Sequence, residues 1–258
     1  MKRLWFLLLV LFILPIVSAC QDSATSSGDG EKLVIGIDDA FPPMGFRDEN
    51  NEIVGFDIDL AKAVAEKMGV EVVFQPIDWS TKEAELNSGR IDLIWNGYTI
   101  TPEREEKVLF TKPYLANAQV IAVLIDSEIQ SLDDLNGKNI GIQAQSSALD
   151  AFNASAIKDI VGSVTEFKDN VLALTDLKAG RIDAVVIDEV VINYLMTQEE
   201  GTYRVLDETL APEKYGVGVK KGNEELLNKL QTALDEVIAD GTAADISKKW
   251  FGEDKISK

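Results

Sequence analysis

Among the 258 residues of this chain, the charged pair best placed to do chemistry is Arg104 and Asp188. The planar guanidinium of an arginine can grip two carboxylate oxygens at once, and an aspartate carboxylate can take a cation. Thr101 and Pro102 read as an N-cap followed by proline at the first helical position, so Arg104 falls on the first turn of a short helix. An anion is favoured at that end of a helix. Asp188 closes the apolar run 184–187 and so stands at the carboxyl end of an expected strand, where open α/β sheets bind ligands. By residue type alone, Arg104 among Glu103, Glu105 and Glu106 reads more simply as a solvated helix face, and Asp188 equally as an ordinary strand-end aspartate.

Other polar residues sit at the ends of expected elements. Asn96, Gly97, Tyr98 and Thr99 follow the apolar run that starts at Ile91. Ser146 and Ser147 follow the run 140–142 and open an expected helix, where their hydroxyls and N–H groups suit either an anion or plain N-capping. Asp38, beside Asp39, reads as an acceptor or as a turn former. Phe41 and Trp79 offer flat apolar faces, and Trp79 equally suits a core.

The rest of the inventory is thin for catalysis. There is no histidine, the commonest general base and metal ligand, and Cys20 is the only cysteine. No metal and no cofactor is expected. The net charge of −19 repels nucleic acid and anionic lipid heads.

The amino terminus reads as an address. Lys2 and Arg3 precede the apolar run 4–17, too short for a bilayer span, which needs roughly 20 residues. Residues 17–20 read VSAC and look like a bacterial lipobox. The expectation is a signal peptide over 1–19, a lipidated Cys20, and a flexible polar tether through residue 31. The protein is then exported and held at the outer face of the cell membrane, or facing the periplasm, by its lipid alone.

From residue 32 onward strand and helix alternate, which implies α/β layers with parallel strands. Asp57 is expected to cap a helix whose apolar residues Leu60, Ala61, Val64, Ala65 and Met68 share one face, and Gly69 to end it. An internal echo stands out: residues 88–94 read SGRIDLI and residues 179–186 read AGRIDAVV. Each follows an expected helix and opens a strand, which favours two similar lobes over chance. A second pair, Ile35-Gly36-Ile37 and Ile140-Gly141-Ile142, fits the same reading.

Residues 36–43, 54–60, 88–92, 99–104, 110–114, 180–184, 240–242 and 249–252, in this order and spacing, resemble the polar-amino-acid family of solute-binding proteins that serve ABC importers, the bacterial extracellular solute-binding proteins, family 3. The resemblance covers nearly everything from Lys32 to Gly252. It implies a type II periplasmic-binding-protein fold: two lobes, each a mostly parallel sheet flanked by helices, joined by two hinge strands. Lobe one would span 32–119 plus 214–258, and lobe two 120–213. It further implies a monomer that closes on a free amino acid and partners an ABC permease and ATPase. Arg104, with Thr99, Tyr98, Ser146 and Ser147, would meet the ligand carboxylate, and Asp188 its ammonium. Asp38, Phe41 and Trp79 would surround its side chain, with Asn96 and Gly97 facing the cleft and Gln143 and Tyr114 nearby. With no second basic residue evident in the cleft, neutral polar or cationic ligands are favoured over acidic ones. This sequence has Gln145 where the family often has glycine. The competing reading on the same fold is a cyclohexadienyl or arogenate dehydratase, with Glu189 as the nearest general acid.

Overall fold

The computed structural model describes residues 32–257. The expected signal peptide, Cys20 and the tether lie outside them.

Two sheets carry the fold. The first has the order Glu71–Pro76, Lys32–Ile37, Leu93–Ile94, Gly218–Lys220, Val108–Phe110. Its first three strands are parallel, and Gly218–Lys220 runs antiparallel to both neighbours. In the second, Ser163–Phe167, Asn139–Gln143 and Ala184–Asp188 are parallel. Leu115–Leu124 then pairs antiparallel with Ala184–Asp188, Tyr203–Val205 and Ala211–Tyr215. Both sheets are therefore mixed. The strand–helix–strand units supply the parallel pairs, and strands returning between the lobes supply the antiparallel ones.

The echo in the sequence is one packing device used twice. Asp92 Oδ2 accepts from Val34 N at 2.8 Å in the first lobe, and Asp183 Oδ2 accepts from Asn139 N at 2.7 Å in the second. A Cβ on Gly36 would stand 2.5 Å from Ile91 Cδ1, and one on Gly141 2.5 Å from Ile182 Cδ1. Each Gly-Arg-Ile-Asp thus ties its strand to the parallel neighbour in the sheet, and Gly36 or Gly141 on that neighbour leaves room for the isoleucine.

The helix Phe56–Met68 buries Leu60, Ala61, Val64 and Ala65 and ends at Gly69, whose φ of 70° lies in the left-handed region. Its N-cap is Gly55, not Asp57. Asp57 lies inside the first turn and points into the core, where Oδ2 accepts from Gly97 N at 2.7 Å and from the Tyr114 hydroxyl at 3.0 Å. The sequence signal of an acidic residue at a helix start is real, but the side chain anchors a neighbouring loop instead of its own helix.

Two chain crossings join the lobes, and they pair with each other. Leu115–Leu124 and Ala211–Tyr215 form an antiparallel ribbon in the register Leu115↔Tyr215, Asn117↔Glu213, Gln119↔Ala211. The expected lobe limits at 119/120 and 213/214 fall inside these two strands.

Burial raises the Asp57 carboxyl from 3.8 to about 7, with the Gly97 and Tyr114 hydrogen bonds opposing the rise. A carboxyl whose folded pKa lies above its unfolded value stabilises the fold below the unfolded value and loses that contribution as pH rises through the folded one. The stability of the unliganded protein is therefore expected to fall from pH 5 to pH 8, by up to about 1.4 kcal/mol per pH unit for such a group. Asp57→Asn should flatten the slope measured by denaturant unfolding across this range; an unaltered slope in the variant would rule out Asp57 as its source.

Candidate functional site

The site is built where the first sheet, the second sheet and the crossing ribbon meet. Thr101 caps the helix Pro102–Lys107 by accepting from Arg104 N at 3.2 Å. This short helix holds Arg104 at 5% exposure. Its guanidinium lies 4.8 Å over the Tyr98 ring, and Nη1 donates to Thr99 O at 3.0 Å. Among the described residues no carboxylate lies within ion-pair distance of it. The solvated helix face suggested by composition is thus borne by Glu103, Glu105 and Glu106, which are exposed, while Arg104 turns inward.

Asp188 stands at the N-cap position of the helix Glu189–Gln198 but makes no side-chain capping bond. Its Oδ1 instead accepts from the Tyr215 hydroxyl at 2.5 Å and from Asn117 Nδ2 at 2.7 Å. It is 4% exposed, and its pKa is raised to about 7, first by burial and then by the nearby Glu213 carboxylate. Glu213 Oε2 accepts from Thr99 Oγ1 at 3.1 Å, Asn117 Nδ2 at 3.1 Å and Gln119 Nε2 at 3.0 Å. Neither carboxylate has a Lys or Arg within ion-pair distance among the described residues.

Three side-chain contacts draw the lobes together. Thr99 Oγ1 and Ser147 Oγ are 3.0 Å apart. Gln143 Nε2 donates to Asp38 Oδ2 at 2.7 Å, and Lys82 Nζ donates to Gln145 O at 2.9 Å. The cleft is therefore closed. Burial raises the Asp38 carboxyl to about 6 against the bonds from Ala40 and Gln143. Phe41 and Trp79 are both buried, and Trp79 packs edge-on against Tyr98 with ring centroids 5.8 Å apart.

The remaining expected residues hold the backbone in place. Ser146 caps the helix Ser147–Ala154, accepting from Leu149 N at 3.2 Å and donating to Gln143 O at 2.7 Å. Gln145 adopts a φ of 54°, the left-handed conformation that its usual glycine would take more easily. Gly97 has a φ of 56°, and a Cβ there would meet Phe41 Cε1 at 2.8 Å. The Asn96 side chain presses on Gly45, where an added Cβ would lie 2.1 Å from Asn96 Oδ1. Tyr114 supports Asp57, as described above.

Sequence reading missed Lys82, Asn117, Gln119, Glu213 and Tyr215. Lys82 is 2% exposed on the helix Lys82–Ser88, and its ammonium is taken up by Trp79 O at 3.2 Å, Gln145 O and Glu83 Oε2 at 3.4 Å. It is a second buried cation where none was expected, though already occupied by protein acceptors. The other four share one face of the crossing ribbon, and for Asn117 and Gln119 the alternation of polar and small residues in LANAQV was the available signal.

Comparison with known proteins agrees with this fold. The profile of the bacterial extracellular solute-binding proteins, family 3, matches residues 33–253. The L-cystine-binding protein TcyJ of Escherichia coli K12 is 32% identical over 225 residues, 86% of this chain and 83% of the relative. The arginine-binding extracellular protein ArtP of Bacillus subtilis is 33% identical over 259 residues, 99% of this chain and 100% of the relative. A histidine-bound substrate-binding protein of an ABC uptake transporter from Streptococcus pneumoniae superposes with a TM-score of 0.85 at 43% identity, covering 88% of this chain and 95% of that one.

The left-handed φ and the Phe41 contact make Gly97 the least replaceable residue of the loop. Gly97→Ala is expected to lower folding stability by about 1–3 kcal/mol in urea unfolding, the cost of strained non-glycine backbone. A variant as stable as the parent would show that the loop relaxes freely.

Proposed function

This chain belongs to the bacterial extracellular solute-binding proteins, family 3, and from that membership we propose that it is the exported binding subunit of an ABC importer, holding one free polar amino acid between its lobes. The observation that carries this is the pair of unmatched charges in the closed cleft: the Arg104 guanidinium, and across from it the Asp188 carboxylate with Glu213 beside it.

An amino acid at neutral pH brings one carboxylate and one ammonium. Arg104 takes the carboxylate, helped by the Tyr98 and Thr99 N–H groups and the Ser146–Ser147 turn, and Asp188 takes the ammonium. Asp38, Phe41 and Trp79 face the side chain, with Gly97 and Asn96 shaping the wall. A neutral polar or cationic side chain suits the buried Asp38 and its Gln143 partner; an acidic one would meet Asp38, and the only other buried cation among the described residues, Lys82, is already bonded. The ligands named for the relatives, cystine, arginine and histidine, support this class.

Each lobe alone satisfies half of the ligand. The closed form satisfies both halves, so the ligand binds that form more tightly and shifts the population towards it. The chain is a binding protein and not an enzyme, as its relatives are. Glu189, the acid that a dehydratase reading needs, is exposed at the start of the helix Glu189–Gln198, whereas Asp188 is buried. The protein acts as a monomer, delivers its ligand to a permease with its ATPase, and is held to the membrane by a lipid on Cys20.

A thermal-shift screen of the common amino acids and cystine should give a rise in unfolding temperature with one or a few polar members, because a ligand specific to the native state stabilises it. Arg104→Ala should abolish the shift, since stripping one partner from a buried charge pair costs about 2–5 kcal/mol. A full shift in the variant would remove Arg104 from the carboxylate site, and a screen with no shift would remove the amino-acid reading. In cells, Cys20→Ser should move the protein from the membrane to the soluble fraction; retention on the membrane would point to another anchor.

A further inference from the structure

The crossing ribbon presents a polar face that the proposed contacts above use only in part. In strand Leu115–Leu124 the side chains of Leu115, Asn117 and Gln119 share one face, and in Ala211–Tyr215 those of Ala211, Glu213 and Tyr215 do. Asp188 is paired with Gln119 in register and so joins the same face. Two carboxylates, two amides and a phenol are thereby gathered on one surface, with no cation among the described residues to match them.

The hydrogen bonds show how the two carboxylates are arranged. Asn117 Oδ1 accepts from Val190 N at 3.3 Å, which fixes the amide so that Nδ2 faces inward. That one nitrogen then donates to both Asp188 Oδ1 at 2.7 Å and Glu213 Oε2 at 3.1 Å. The two acceptors are close enough to share a single donor group. Thr99 Oγ1 completes the corner: it donates to Glu213 at 3.1 Å, so toward Ser147 Oγ at 3.0 Å it accepts, and one lone pair remains for a ligand.

We propose that Glu213 contacts the ligand directly, its carboxylate forming with that of Asp188 and the Thr99 hydroxyl a three-acceptor seat for a primary α-ammonium group. The inference rests on the amino-acid reading of the cleft and deepens it. A primary ammonium has three N–H donors, and the corner offers three acceptors from three places: the second lobe, the first lobe and the crossing strand. Two facing carboxylates repel when nothing lies between them, and a buried cation relieves both. The seat therefore selects a ligand whose α-nitrogen carries three hydrogens. An α-N-methyl group replaces one donor with a carbon that would sit against an oxygen, so secondary amines are disfavoured.

The test is calorimetric titration of the full protein and of Glu213→Gln with L-arginine, L-histidine and their α-N-methyl forms. The wild type should bind one of the parent amino acids and lose at least tenfold on α-N-methylation. Glu213→Gln, which keeps the shape and removes the charge, should weaken the parent amino acid at least tenfold and shrink the methylation penalty to a few-fold. Unliganded Glu213→Gln should melt no lower than the wild type, since it removes a like-charge contact. An affinity within twofold of wild type overturns the inference while leaving the amino-acid reading intact. A weakened affinity with an undiminished methylation penalty also overturns it, because Glu213 would then act only through its neighbours. Wild-type protein that binds neither arginine nor histidine in the titration, nor any amino acid in the thermal-shift screen, overturns the reading of the cleft, and the seat with it.

Discussion

Closing the two lobes buries charges that the protein does not neutralise by itself, and most of the site's architecture answers to that constraint. Arg104 is buried on one side of the interface and Asp188 on the other, with Glu213 half-buried beside it and no ion pair among the described residues to compensate. The effective cost of taking an ion out of water is several kcal/mol even after relaxation. Neutral donors and acceptors return part of it: Thr99 O for the guanidinium, and Tyr215, Asn117 and Gln119 for the carboxylates. The Asp188 carboxyl is nonetheless pushed up, first by burial and then by the Glu213 carboxylate beside it. In the binding mode proposed above, a dipolar guest would offset the burial of both sides at once, so closure and occupancy would favour each other without any moving part dedicated to the purpose.

The charges are useful only if they are held still, and the holding is done by backbone devices some distance from them. Asp57, inside the first turn of Phe56–Met68, fixes Gly97 N, and Gly97 turns the chain in a conformation only glycine takes easily. That turn sets Tyr98 beneath Arg104 and Thr99 against the crossing ribbon. In the second lobe Ser146 and the left-handed Gln145 shape the turn that carries Ser147, and Lys82 reaches over from the first lobe to the Gln145 carbonyl. A buried lysine bonded to carbonyls on both sides of the cleft is fully satisfied only with the lobes shut, where its burial and the neighbouring Arg104 lower its pKa to about 8.

Much of this was legible in the sequence because it is local. The cap at Thr101, the proline after it and the inward Arg104 follow from four consecutive residues once the family pattern is recognised, and both Gly-Arg-Ile-Asp copies mark helix ends and strand starts. What escaped depends on register. Glu213 and Asn117 lie 96 residues apart and become neighbours only through antiparallel pairing, which no short window contains. Asp57 looked like a helix cap because its type and position fit one; its true partners, Gly97 and Tyr114, are 40 and 57 residues away. Lys82 was invisible for a different reason: lysine is so often exposed that a single buried one carries no local signature.

The ribbon that joins the lobes has two properties that belong together. It is two strands wide where it crosses, with Ala116, Pro212 and Lys214 exposed on its outer face. A ribbon this narrow has no second layer on that side to resist bending. Its inner face, by contrast, carries Asn117, Gln119, Glu213 and Tyr215, all engaged with Asp188, Thr99 or Ser147. Any rotation of one lobe on the other must twist this ribbon and so shift the acceptors that face the cleft. On the proposed reading, the element that would permit motion is also the element that lines the site, so a guest's charge would be felt at the hinge itself instead of being transmitted to it through the lobes.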